Sequence, residues 1–157
     1  MLIQTCIVTA TLCGLAALAS LQKNPDFSGE WILNRQASTL SPGADAMRSA
    51  VVRIEHRDPA FKYNAEFVSD TGTVKYDFEL QSDGSDVRST QPGITIVSNL
   101  RWEGEALVAN WLIQRPDGEM KISFRYEMLD AGRRLRAVEQ LRGTDHDQDN
   151  IWMFERR

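Results

Sequence analysis

Two side chains capable of acid–base chemistry interrupt apolar strand faces in this sequence. His56 ends an apolar face that begins at Val52, and Glu139 stands between Ala137 and Leu141. A buried carboxylate is costly unless it is paired or protonated, so an inward Glu139 would need a partner such as His56. Meeting in an apolar cavity, the two residues could act as a general acid and a general base.

A second interpretation gives both residues ordinary structural roles. His56 could cap the end of its strand beside the turn at Asp58 and Pro59. Rotating a strand by one residue exchanges its two faces, so Glu139 could instead face solvent. Its neighbours there would be Arg134, Arg136 and Arg142. The sequence leaves both interpretations open.

The acidic segment near the C-terminus resembles a calcium loop only in part. Asp145, Asp147 and Asp149 occupy the first, third and fifth positions, but Asn150 and Arg156 stand where that loop requires Gly and Glu. We therefore expect an acidic, solvated turn and no metal site. Phosphate-binding and dinucleotide-binding fingerprints are absent from the sequence, and we predict no cofactor.

Aromatic residues are the other group with binding potential. If most of them face the interior of a barrel, they could line a cavity for a flat or aliphatic small molecule. They could equally pack a filled core, as aromatic side chains commonly do. The candidates are Tyr63, Tyr76, Trp102, Trp111, Phe124 and Tyr126.

Composition limits the class of protein. The 157 residues fit one domain, and 42% of them are hydrophobic, as in ordinary globular proteins. The net charge is −4 and the sequence pI is about 5.2. Nucleic-acid binding would require a basic surface, so we predict no nucleic-acid partner.

The first residues read as a secretory signal peptide. No charged side chain occurs before Lys23, and Ala17-Leu18-Ala19 forms a small-residue cleavage site ahead of Ser20. We predict cleavage of residues 1–19 and a secreted or periplasmic protein without a membrane span; an uncleaved anchor is the alternative. Cys6 and Cys13 both lie in this leader, so the mature protein would contain no disulfide.

The rest of the chain alternates apolar and polar residues with the period of half-buried strands. Short turns separate the runs, which predicts antiparallel neighbours. A meander of eight to ten strands either closes into a barrel or exposes two edges, so we favour a barrel over a sandwich. The predicted strands lie near 27–33, 51–57, 61–69, 73–81, 86–90, 94–102, 105–114, 119–129, 133–142 and 150–156.

One break in this meander predicts a short helix between the first two strands. Ser41 followed by Pro42 is typical of a helix start, and we place the helix near 42–50. We find no linker or internal repeat, so a single all-β domain is expected over residues 24–157.

The first strand carries a family resemblance. Phe27-Ser28-Gly29-Glu30-Trp31 resembles the F-x-G-x-W opening of the calycin superfamily, which includes lipocalins and fatty-acid-binding proteins. The resemblance implies an up-and-down barrel in which Trp31, two residues after Gly29, closes one end under a cation, with Arg156 as the candidate and Arg157 as the alternative. The R-x-Y pair that grips a carboxylate in fatty-acid-binding proteins is missing, so a fatty acid is not implied.

These observations favour a binding protein for a small hydrophobic or aromatic molecule. The alternatives are a small barrel enzyme that uses His56 and Glu139, and a protein-interaction module with a filled core. The sequence predicts neither the identity of the ligand nor the oligomeric state.

Overall fold

The computed structural model describes residues 24–143 and 147–157. In this part of the chain, ten antiparallel strands form one sheet. The strands are β1 (Gly29–Leu33), β2 (Met47–Arg57), β3 (Ala60–Ser69), β4 (Gly72–Gln81), β5 (Val87–Gln91), β6 (Ile94–Glu103), β7 (Ala106–Arg115), β8 (Gly118–Leu129), β9 (Arg134–Arg142) and β10 (Asp147–Arg156).

Pairing between the first and last strands curls the sheet into a nearly closed barrel. The strand order is β4-β3-β2-β1-β10-β9-β8-β7-β6-β5, so every sequential pair except β4 and β5 is hydrogen-bonded. Trp31 of β1 lies opposite Arg156 of β10 on one side and Val52 of β2 on the other. The predicted all-β meander barrel is therefore confirmed, and the sandwich is not formed.

Strands β4 and β5 are the two ends of the sheet, and the barrel closes only partly between them. At one end the segment after β4 bonds directly to β6: the Gly84 amide donates to the Leu100 carbonyl at 2.9 Å, and Asp83 bridges Arg101. Further along, β5 pairs with β6 alone. The gap thus widens toward the opposite end of the barrel.

The predicted helix is present but shorter than expected. Helix α1 spans Pro42–Asp45, and two 3₁₀ turns lie at Arg35–Ala37 and Asp130–Gly132. Residues from Met47 onward join β2 because they pair with the end of β3, across a register shift between Met47 and Ser49. Cross-strand hydrogen bonding therefore replaces helix formation in this stretch.

Alternation along the strands places the core inside the barrel. The largest fully buried side chains are Trp31, Phe27, Phe61, Leu100, Leu107, Leu135, Val52 and Asn150. Within residues 24–143 and 147–157, no helix is long and apolar enough to cross a membrane. The predicted leader, residues 1–19, lies outside the described residues, as do Asp145 and His146 of the acidic turn.

Candidate functional site in the barrel interior

The closed end of the barrel is built around Trp31. Its ring is fully buried, and the indole N–H donates to the Phe27 carbonyl at 3.1 Å. The Arg156 guanidinium carbon lies 4.3 Å from the ring centroid, a cation–π contact. Two carbonyls hold that guanidinium in place, Gly132 at 2.7 Å from Nε and Ser28 at 2.7 Å from Nη1.

Gly29 makes room for this contact. Its φ of +145° lies in a region that side chains rarely adopt, and an added Cβ would stand 2.7 Å from Nη1 of Arg156. A glycine at this position lets the backbone pass directly beside the guanidinium. The closed end is therefore tightly packed by Phe27, Gly29, Trp31 and Arg156.

His56 belongs to the same end of the barrel. Its side chain is 3% exposed, and Nδ1 accepts the Phe27 amide at 3.4 Å. Nε2 is buried without a hydrogen-bond partner, 3.9 Å from an Asp58 carboxylate oxygen. Burial lowers the pKa of His56, while the nearby charges of Asp58 and Asp26 oppose that shift. The ring packs among the aromatic rings of Phe27, Phe61 and Trp102.

Trp102 lies at the closed end and not among the central aromatic rings. Its indole N–H donates to an Asp58 carboxylate oxygen at 3.0 Å, and its ring lies 5.7 Å from that of His56. Ser82 donates to the same carboxylate oxygen, and these two hydrogen bonds lower the pKa of Asp58. The hydrogen bond from Trp102 to Asp58 therefore connects β6 to the turn after β2 at the closed end.

The middle of the barrel contains a connected group of aromatic rings, which we name the aromatic cluster: Tyr63, Phe78, Trp111, Phe124 and Tyr126. Tyr63 and Phe78 stack at 4.8 Å, and Trp111 meets Phe78 edge-on at 5.0 Å. Phe124 stacks with Tyr126 at 5.9 Å, and Tyr126 lies 6.1 Å from Tyr63. Contacts between β3 and β8 thus connect the rings across the interior.

Glu139 faces this same interior. It lies opposite Phe124 of β8 and Asn150 of β10 in the sheet register, and it is 9% exposed. Its Oε2 accepts two hydrogen bonds, one from the side-chain Nδ2 of Asn150 at 2.7 Å and one from the Trp152 indole N–H at 2.8 Å. Asn150 in turn accepts the Ser41 amide at 2.7 Å, which ties the start of α1 to the barrel.

The two candidate acid–base residues have separate partners. Among the described residues, no hydrogen bond or ion pair connects His56 to Glu139. His56 contacts the closed end, whereas Glu139 bonds to β10 near α1. The acid–base hypothesis therefore stays a prediction without a shared contact between its two groups.

In the strands that the structure describes, four large apolar side chains face the interior and are nevertheless exposed. We name them the open side: Val74, Tyr76, Val87 and Ile94, with exposed fractions of 42%, 55%, 46% and 36%. Val74 and Tyr76 lie opposite the buried Phe67 and Ala65. Alternation along β6 puts Ile94 on the face of the buried Leu100, and Val87 lies opposite Ser98 on that face. The gap beside β4 and β5 accounts for their exposure.

A concave region lies on the outer surface of the barrel, at the end of β8 and β9. A cleft of about 310 Å³ is lined by Glu119, Lys121, Arg142 and Gly143. Lys121 and Arg142 pair across β8 and β9 on the face opposite Ile122, and Lys121 also forms an ion pair with Glu119 at 2.9 Å. Three of its four lining residues are charged, so this cleft is a poor match for an apolar molecule.

The acidic turn joins the sheet on its C-terminal side. Asp147 and Asp149 are part of β10, and Asp149 forms an ion pair with Arg142 at 2.8 Å. Within the described ranges, no three His, Cys, Asp or Glu side chains are grouped so that they could hold a metal ion.

Sequence reasoning did not single out Phe61, Phe78 or Asn150. Phe61 and Phe78 alternate with polar residues in their strands, so the signal for an inward position was present. Asn150 lies one strand position before Ile151 and two before Trp152, on the same face as Trp152. That spacing places a polar donor beside an inward Glu139, but only once the β9–β10 register is known.

Comparison with solved structures identifies the architecture. A secretory abundant heat soluble protein from Ramazzottius varieornatus matches with a TM-score of 0.56 at 12% identity, over 83% of this chain and 94% of that one. Zebrafish ileal bile-acid-binding protein complexed with cholic acid matches with a TM-score of 0.52 at 15% identity, over 83% and 98% of the two chains.

A third match has the same extent. Human cRBP IV aligns with a TM-score of 0.51 at 14% identity, over 85% of this chain and 99% of that one. No protein-family model matches the sequence, and no curated protein matches it. At these identities the similarity shows the fold alone: the chain folds as a calycin-type, lipocalin-like β-barrel.

Proposed function

We propose that the barrel interior binds a small hydrophobic or aromatic molecule. The observation that carries this proposal is the exposure of inward-facing apolar side chains on the open side. The hydrophobic effect contributes about 25 cal/mol for each Å² of apolar surface removed from water, so covering these residues would favour binding of an apolar guest. The gap between β4 and β5 offers the way in.

The aromatic cluster supports the same proposal. Trp111 and Phe124 are only partly buried and pack against the core, so a flat guest could stack beside them. The zebrafish ileal bile-acid-binding protein, which has the same fold, is complexed with cholic acid, an amphipathic steroid, and this supports a small-molecule ligand for the present chain. We infer that the open side and the partly buried rings of the aromatic cluster together form the binding surface.

Titration with the neutral fluorescent probe N-phenyl-1-naphthylamine tests this function. We expect saturable binding to the wild-type protein. Val87→Glu places a charge on the inward face of β5 and should weaken binding about tenfold, the equivalent of about 1.4 kcal/mol. Thr90→Glu adds the same charge to the outward face of the same strand and is the matched control.

Two results would contradict the proposal. One is the absence of probe binding to the folded wild-type protein. The other is an equal loss of affinity in Val87→Glu and Thr90→Glu, which would place the probe on the outer surface.

We also propose that the protein is exported and that residues 1–19 are removed. The support is the uncharged leader and its Ala17-Leu18-Ala19 cleavage site. Amino-terminal sequencing of the protein from its own host should begin at Ser20. A protein that retains Met1 would rule out this cleavage.

A further inference from the structure

We propose that Glu139 recognises a protonated amine on the hydrophobic guest. This inference rests on the proposed function and adds the chemical class of the ligand. It commits the interior to an apolar molecule with a cationic nitrogen, and it excludes an apolar carboxylate as the preferred guest.

The first step is the geometry of the Glu139 carboxylate. Both of its hydrogen bonds, from Asn150 and Trp152, arrive at Oε2. No described residue donates to Oε1. Two N–H donors thus orient the carboxyl group through a single oxygen. One oxygen is therefore fixed by the protein, and the other is available to a donor brought in by a guest.

The second step is the balance of charge along the interior. In the described strands, the inward positions between the closed end and the rim hold no Lys or Arg. Arg156 is inward but bonded at the closed end, and Arg115 is exposed at the end of β7. Among the described residues, Glu139 therefore has no ion-pair partner, and an ammonium group on a guest would supply one.

The third step is the environment around that charge. Phe124 lies directly opposite Glu139, and Phe124 stacks on Tyr126. Aromatic faces attract cations, so the rings that hold an apolar chain also favour an ammonium group. Burial, together with the Glu139 charge, raises the pKa of Tyr63, and burial raises that of Tyr126. Both phenols stay neutral and add no competing negative charge.

Three guests with the same alkyl chain separate the charge from the apolar contribution. Dodecylamine, dodecanol and dodecanoate compete with N-phenyl-1-naphthylamine at neutral pH, where the amine is protonated and the acid ionised. We expect dodecylamine to bind at least about tenfold more tightly than dodecanoate, with dodecanol between them.

Glu139→Gln tests the residue itself. The glutamine keeps an oxygen for the Asn150 and Trp152 donors, so the barrel should fold. Affinity for dodecylamine should fall about tenfold, while affinity for dodecanol should change less than about twofold. Glu66→Gln removes a carboxylate from the outer face of β3, where it pairs with Lys75 at 3.2 Å, and should leave all three affinities unchanged.

The outcomes distinguish this inference from the proposed function. If the probe does not bind the wild-type protein, the proposed function fails. If the probe binds but dodecanoate competes as well as dodecylamine, or if Glu139→Gln weakens all three guests equally, the amine inference alone is overturned. The ranking of the three guests on the wild-type protein decides the matter even if the variant does not fold.

Discussion

The closed end and the open side of the barrel share one residue pattern and differ in what covers it. At the closed end, Trp31 and Phe27 are fully buried, and Arg156 covers the Trp31 ring. On the open side, Tyr76 and Val87 also face inward, yet about half of each side chain is in water. At the closed end β1 pairs with β10, whereas on the open side β4 and β5 are not paired with each other. Burial therefore depends on strand pairing as well as on side-chain direction.

Trp31→Ala should have the largest effect on folding because it empties the packed end. We expect a loss of about 3–5 kcal/mol in the free energy of unfolding, measured by urea denaturation. Tyr76→Ala removes an aromatic ring from the open side, where it is 55% exposed, and should cost about 1 kcal/mol or less. Equal losses in the two variants would remove the distinction between the two regions.

Gly29→Ala should have an intermediate effect. The backbone conformation at Gly29 costs a side chain about 1–3 kcal/mol, and the added Cβ also displaces the Arg156 guanidinium. Gly93→Ala is the control, because Gly93 has a φ of +77° in the β5–β6 turn with open space around it. The same urea measurement should show a smaller loss for Gly93→Ala; a larger one would mean that Arg156 adapts freely.

The smallest effect concerns the pH dependence of the closed end. Because burial lowers the pKa of His56 below its ordinary 6.5, the unfolded chain takes up a proton first as the pH falls. Stability should be complete above about 6.5 and decrease below it, until the folded-state pKa is passed. His56→Phe should flatten this part of the profile of unfolding free energy against pH, while Phe keeps the contacts with the surrounding rings.

A matched variant tells this effect apart from the titration of the rest of the chain. Asp83 is exposed, and its hydrogen bond with Ser85 lowers its pKa, so its contribution is lost only at more acidic pH. Asp83→Asn should leave the profile near neutral pH unchanged. An unchanged profile in His56→Phe would show that His56 does not control this window.

The fold could be predicted from the sequence because each strand carries its own alternation. The runs around Tyr63 and Tyr126 indicate one buried face without knowledge of any partner strand. The beginning of β2 was harder to predict from the sequence, because Met47 pairs with Ser69 across a register shift that no local pattern reveals. Because Met47 already belongs to β2, helix α1 ends at Asp45 and does not continue to residue 50.

The site was harder to predict because it depends on register between strands. The sequence allowed Glu139 to face either the interior or the arginines of its own strand. The inward position has hydrogen-bond donors only because Asn150 and Trp152 of β10 meet that level of the barrel. The exposure of the open side could not be predicted either, because Val74 and Tyr76 alternate with polar residues in the same way as residues of strands that are covered.

The pairing of β1 with β10 also determines when folding can finish. Trp31 lies in the first strand of the sheet, whereas the Arg156 that covers it lies in the last strand, β10. Contacts so distant in sequence form slowly, and this seam cannot form while the ribosome still holds β10. The barrel therefore stays unsealed until β10 pairs with β1.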